Sequence, residues 1–360
     1  MRHERVEDDA FHRDADAGTL RARLGLGVAF DPEWSALVEA EHTTHLFGER
    51  FNSSANGRTA YPTVSDPDST ELNQAWLRYA PTTATTAILG RQRIVVDNQR
   101  FFGNVGWRQN EQTFDALDWQ QAAGSLRLRY TYLDRVQRIF GADHPQRAQA
   151  RWHLDTHLLS VSAQSGVATL STYAHLVDND TVPLASHRNL GARAVFAPPT
   201  PAPPSWRVVV EFAWQRPFAD GAGHQQAEYR LLEGNVVVAG NTLHAGLEVL
   251  GGDGRYGFAT PFATLHAFNG WADRFLTTPP DGLRDAWVGW KRTFGGLAAQ
   301  LAWHRFRADH GNADYGSELD ASLGWALSPR LNLLIKLARF DGSGEDADIA
   351  KAWVDLEFRY

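Results

Sequence analysis

The sequence has no cysteine and a single methionine, at position 1. Disulfide frameworks, thiolate metal sites and cysteine nucleophiles are therefore excluded together. It has no run of about 18 apolar residues, so it encodes no membrane-crossing helix. No apolar signal core stands between Met1 and Glu7, and Met1 reads as an initiator added to a mature chain whose signal peptide was removed. Positive charge is not in excess either. The chain has 35 Lys and Arg against 42 Asp and Glu, a net charge of -7, which argues against nucleic acid as a partner.

Chemistry-bearing motifs are missing as well. Gly252-Asp253-Gly254-Arg255-Tyr256-Gly257 has the spacing of a dinucleotide-binding glycine fingerprint. The Pro261 and Gly270 that follow break any helix, and no βαβ unit surrounds it. His153 and His157 share a strand face but would lie about 13 Å apart, too far for one metal ion. His42 and His45 point to opposite faces, and no Gly-x-Ser-x-Gly elbow occurs. The expectation is a protein with no cofactor, no metal and no catalytic residues, hence not an enzyme.

What the sequence does have is period-two alternation from end to end. Between positions 20 and 30 the even residues are Leu20, Ala22, Leu24, Leu26, Val28 and Phe30, with Arg21 and Arg23 between them. Leu126, Leu128, Tyr130 and Tyr132 repeat the scheme around Arg127 and Arg129. Trp206, Val208, Val210, Phe212 and Trp214 are aromatic at the ends and aliphatic in the middle. Nine such residues rise about 20 Å at a tilt near 40°, close to the roughly 25 Å apolar band of an outer-membrane barrel with its aromatic girdles. The mean hydropathy of -0.38 is compatible with this, because barrel strands show only alternate residues to lipid.

Eighteen segments of this kind run from residues 2–8 to 350–360, among them 85–96, 111–118 and 224–232. The expected fold is all-β: one transmembrane antiparallel barrel over residues 1–360, of about eighteen strands, with sixteen the main alternative. Short connections, such as Gln164-Ser165 and Gly295-Gly296, alternate with long ones, such as 47–69, 97–110, 134–151 and 251–283. Both termini and the short turns then fall on the periplasmic side, and the long loops are extracellular. The Pro-rich residues 198–204 read as a stiff turn, the alternative being a linker between two domains.

Two stretches carry more than pattern. One is Gly90-Arg91-Gln92-Arg93 followed by Asp97 through Asp115, with Phe101-Phe102-Gly103-Asn104 and Trp107-Arg108-Gln109-Asn110-Glu111 inside it. The other joins Glu248-Val249-Leu250-Gly251-Gly252 to Thr260-Pro261-Phe262 and Phe268-Asn269-Gly270-Trp271-Ala272-Asp273-Arg274-Phe275. Both resemble the alginate export family of Gram-negative outer-membrane barrels, with Phe262 and Arg274 where that family would carry Leu and Lys. The resemblance implies an outer-membrane channel, and in the family's characterised branch an Arg-rich pore that secretes a uronic-acid polymer. It implies as partners the surrounding lipid and lipopolysaccharide, the barrel-assembly machinery and, for polymer export, periplasmic proteins. The chain looks shorter than the polymer exporters.

If the apolar face meets lipid, Arg21, Arg23, Arg78, Arg91, Arg93, Arg127 and Arg129 line the lumen of the N-terminal half, with Glu39 and Glu41 against them. The C-terminal half is mixed: Arg207, Arg230, Lys291 and Lys336 with Glu211, Glu228, Glu248, Glu318 and Asp320. Arginine suits carboxylate passage because its planar fork binds bidentately and stays charged. The expected cargo is an anionic saccharide. The competing account is that these charges pair only to brace the barrel. The 251–283 loop, with Phe262, His266 and Trp271, is too long for an ordinary connection and is expected to fold into the pore as a constriction. Arg100 and Arg108 mark a second candidate constriction. A plugged structural or adhesive barrel and a barrel-borne hydrolase are the rival functions.

Overall fold

The computed structural model describes residues 1–199 and 205–360. Among the described residues there are eighteen strands and only single turns of helix. The first nine are β1 (Arg2–Asp8), β2 (Ala15–Ala29), β3 (Trp34–Arg50), β4 (Ser69–Thr82), β5 (Thr85–Gln92), β6 (Thr113–Ala123), β7 (Leu126–Gln137), β8 (Arg151–Ser165) and β9 (Ala168–Val177). Then come β10 (His187–Phe196), β11 (Ser205–Pro217), β12 (Ala227–Val238), β13 (Asn241–Leu250), β14 (Leu283–Phe294) and β15 (Leu297–Arg307). The wall ends with β16 (Asp314–Ser328), β17 (Leu331–Gly342) and β18 (Ile349–Phe358). All pair antiparallel in chain order, and β1 pairs with both β2 and β18, so the sheet is a closed barrel. Closure gives each strand two partners, the arrangement a β-structure needs in lipid. Of the Pro-rich turn, Thr200 to Pro204 lie outside the described residues.

Connections alternate as the sequence implies. Residues 83–84, 124–125, 166–167, 239–240, 295–296 and 329–330 are tight turns at one end, and residues 51–68, 93–112, 138–150 and 251–282 emerge at the other. The outer face is apolar: Leu24 is 82% exposed and Leu26 71%. On β11, Trp206, Val210 and Trp214 are exposed while Val209, Glu211, Ala213 and Gln215 are buried, so alternate residues face lipid and lumen.

The alternation inverts in places, for a physical reason. Residues 93–112 leave the wall and enter the lumen, so β5 stops at Gln92 instead of reaching 96 and β6 starts at Thr113. On β6, β7 and β12 the inner face at the level of this insert carries apolar residues: Phe114, Leu133, Val136, Tyr229 and Leu231 are all buried there. Charge at those levels goes outward. Arg91 shares the outward face of Leu89, which is 61% exposed, and pairs with Asp115 on the neighbouring strand at 2.7 and 3.0 Å. Arg91 is therefore not a lumen residue. Glu228 and Arg230 alternate with buried Tyr229 and Leu231 and also face outward, against the sequence expectation.

Candidate functional site

The two loops that carry the distinctive sequence stretches meet inside the barrel. Phe102 and Phe262 form a parallel β-bridge, and their rings stack 5.3 Å apart at 11°. Gly103 N donates to Phe262 O at 2.9 Å, and the Gln112 side chain spans Gly103 O and Phe262 O at 2.8 and 3.0 Å. A Cβ at Gly103 would collide with Thr264 Oγ1, which explains the glycine. Phe101 reaches Tyr173 on β9, Tyr229 on β12 and Phe258 of the other long loop, so an aromatic core forms inside the barrel. The 251–282 loop packs against the inner face of the wall and against the 93–112 loop.

Its charged members hold it there. Arg100 is 2% exposed; its guanidinium binds Glu248 of β13 at 2.9 and 3.0 Å and Asn269 at 2.9 Å. Arg108, also buried, lies 3.2 Å from Glu4, 3.6 Å from Asp66 and 3.2 Å from Asp273. Both arginines of the second candidate constriction are thus in ion pairs with the wall, Arg100 with Glu248 and Arg108 with Glu4, and Phe262 is buried as well. His266 stacks on Trp107 at 4.5 Å and joins Asp273, 2.8 Å away, to Lys336 of β17, 2.7 Å away. Lys336 sits over the rings of Trp107 at 4.0 Å and Trp271 at 3.8 Å. Asp273 also takes Lys351 of β18 at 2.9 Å.

Burial, reinforced by the Lys336 charge, lowers the His266 pKa to about 3 despite Asp273 beside it. Burial opposes the charge on Asp273, but His266, Lys351 and Arg108 hold its pKa well below the usual carboxylate range. Both folded-state values lie below those of the unfolded chain. The stabilisation is therefore complete above about pH 6.5 and is lost as pH falls toward 3. Thermal melting of the reconstituted barrel is expected to drop between pH 7 and pH 4, with a smaller drop in His266→Asn. Equal drops in the two proteins would contradict the assignment.

Of the remaining arginines in the expected lumen set, all six face inward. Three are balanced. Arg23 pairs with Glu41 and lies 3.4 Å from Glu111. Arg93 binds Glu111 at 2.6 Å and Glu39 at 3.1 Å. Arg129 binds Asp118 at 2.7 Å and Val95 O at 2.8 Å. Arg21 donates to the carbonyl of Arg108 at 3.2 Å. Among the described residues Arg21, Arg78 and Arg127 have no carboxylate partner in ion-pair contact. The sequence reading missed Glu111 and Asp118 as counter-charges.

Three cavities flank the insert toward the short-turn end. One of about 250 Å³ is lined by Arg127, Arg129, Gln120, Ser160, Ser162 and Ser171. A second, of about 500 Å³, gathers Arg21, Arg23 and Arg93 with Glu39 and Asp355. The third, of about 220 Å³ against the C-terminal wall, is lined by Glu233, Asp285, Asp320, Lys291, Trp271 and Trp287, among others. Trp271, a member of the expected constriction, lines this third cavity.

A model of the alginate export family matches residues 1–196, more than half of the chain. No curated protein matches. Solved structures do. The chain is similar to OccAB4 of Acinetobacter baumannii, with 12% identity, a TM-score of 0.76 and 99% and 95% of the two chains covered. It is also similar to OpdK of Pseudomonas aeruginosa, solved with vanillate, at 14% identity and a TM-score of 0.75 over 99% and 96% of the chains. OpdO of the same organism gives 14% identity and a TM-score of 0.74 over 99% and 94%. At such identities the likeness is one of fold, that of outer-membrane porin-type barrels.

Proposed function

Starting from the fact that the chain belongs to the alginate export family of outer-membrane barrels, we propose that it is a passive channel for anionic solutes, with sugar acids or their oligomers and polymers as cargo. The observation that carries this reading is the cavity at Arg127. Arg127 is exposed to the lumen and has no carboxylate in ion-pair contact among the described residues, while the strand faces around it present hydroxyls and amides and the loop contributes Asp97 to the lining. Ser162 lies directly opposite Arg127 across the β7–β8 ladder, Ser160 opposite Arg129, and Ser171 opposite Ser162. A uronate needs this combination: a guanidinium for the carboxylate and short polar side chains for the ring hydroxyls. Balanced pairs at Arg23, Arg93 and Arg129 keep the path from becoming one tight anion trap, since conduction requires release as well as binding.

The test is block of single-channel current by an oligouronate. Oligouronate is expected to interrupt the current, a neutral oligosaccharide of equal length is not, and Arg127→Gln should weaken the block several-fold. Equal effects of the two saccharides would overturn the reading. The packed insert favours one alternative, a barrel held shut, in which case the protein inserts into bilayers and passes no current.

A further inference from the structure

Toward the loop end a fourth cavity, of about 400 Å³, lies on the far side of the insert from the arginine wall. Its character is different. Phe11, Ile139, Phe140, Leu265, Leu276 and Ile349 give it apolar walls. Arg138 lines it too, just past the end of β7. The guanidinium of Arg138 lies over two rings, 4.1 Å from the centroid of Trp152 and 4.7 Å from that of Phe140. Its hydrogen bonds go to neutral groups, Gln149 Oε1 at 2.9 Å and Ala148 O at 3.3 Å. Among the described residues it has no carboxylate partner.

We propose that this cavity binds an amphipathic monocarboxylate, an aromatic or short-chain acid whose carboxylate meets Arg138 and whose apolar body lies against the cavity walls. The other ionisable groups of the lining are already engaged. Asp273 is shared by His266, Lys351 and Arg108, and Asp8 Oδ1 accepts from Ala10 N at 2.9 Å. Arg138 is the cation left over. Burial without a compensating anion pushes its pKa down to about 10, so it stays charged at neutral pH and gains from an anion brought to it. The two aromatic rings restrict the plane of its fork, which lowers the ordering needed to receive a carboxylate. A polyhydroxylated acid fits poorly here, because its hydroxyls would lose water against apolar walls. This inference does not rest on the uronate reading, which concerns a different cavity.

The experiment is isothermal titration of the whole barrel in lipid nanodiscs, which avoids detergent in an apolar cavity. The probes are 3-phenylpropionate, the neutral 3-phenylpropanol of the same body, and glucuronate. One molecule of 3-phenylpropionate is expected to bind, roughly tenfold or more tighter than either of the others, the worth of one charge-assisted hydrogen bond. Arg138→Gln should remove that advantage and Arg138→Lys should retain part of it. Should Arg138→Gln fail to fold, Leu276→Glu on the exposed loop adds a like charge to the cavity wall and is expected to weaken the acid but not the alcohol. Acid and alcohol binding equally, no binding of the acid, or an unchanged affinity in Arg138→Gln or, failing its folding, in Leu276→Glu would each overturn the proposal.

Discussion

Reversing Arg78 and Arg127 together to Glu shifts the chloride-to-potassium permeability ratio toward potassium by roughly tenfold or more at low salt. A unit charge about 4 Å from a passing ion in water is worth ~1 kcal/mol, and reversal doubles the change at each site. The effect should shrink as salt is raised, because these side chains face solvent. Both residues lack a carboxylate partner among the described residues, so replacement leaves no stranded counter-charge and the barrel should stay folded. Arg91→Glu is the informative contrast. Arg91 faces outward and pairs with Asp115 at 2.7 Å, so its reversal should leave selectivity unchanged while setting like charges side by side on the outer surface. Reversal potentials of the two variants in one salt gradient separate the roles. A selectivity change in Arg91→Glu as large as in the double variant would contradict the assignment of faces.

The largest loss of stability is expected from Arg100→Met. Removing this guanidinium leaves Glu248, itself 3% exposed, with Tyr229 and Asn269 as its remaining partners and no cation. Breaking a buried pair from one side costs about 3–5 kcal/mol. Arg100 also ties the 93–112 loop to β13 and to Asn269 of the other loop, so its loss should loosen the insert as a whole. The expected result is a lower temperature for heat-modifiable migration, together with larger and noisier current. Arg100→Met with Glu248→Gln should recover much of the stability, because the stranded charge is gone. A single variant that melts like the wild type would show that the insert is held elsewhere.

The wall was legible because a strand facing lipid on one side must alternate, and positions such as Leu24, Leu26, Val210 and Trp214 say so without help from their neighbours. The entry of both long loops into the lumen was legible too, from aromatic residues that need a dry place. The charge pairing was legible only in part. Arg23 and Glu41 face each other across a hairpin with a short turn, so their register follows from the turn. Arg129 and Asp118 are diagonal neighbours, a relation that needs the ladder in hand. Arg91 was misplaced because its own segment alternates correctly, while the inner face beside it is set by Phe114 and the insert, far away in sequence or on another strand. An apolar plug inside the barrel turns the usual apolar-out rule around locally, at Arg91 and again at Glu228 and Arg230. The ion pairs of Arg100 and Arg108 were illegible for a related reason. Nothing local to either arginine announces Glu248, Glu4 or Asp273, its partners across the lumen.

The central claim is an open path whose uncommitted charge is positive. The direct measurement is the reversal potential of the wild-type barrel in a planar bilayer under a salt gradient. The account predicts stable current with an anion-selective reversal potential. A cation-selective potential, or insertion without current, would contradict it and leave the arginines as braces of a barrel with another purpose.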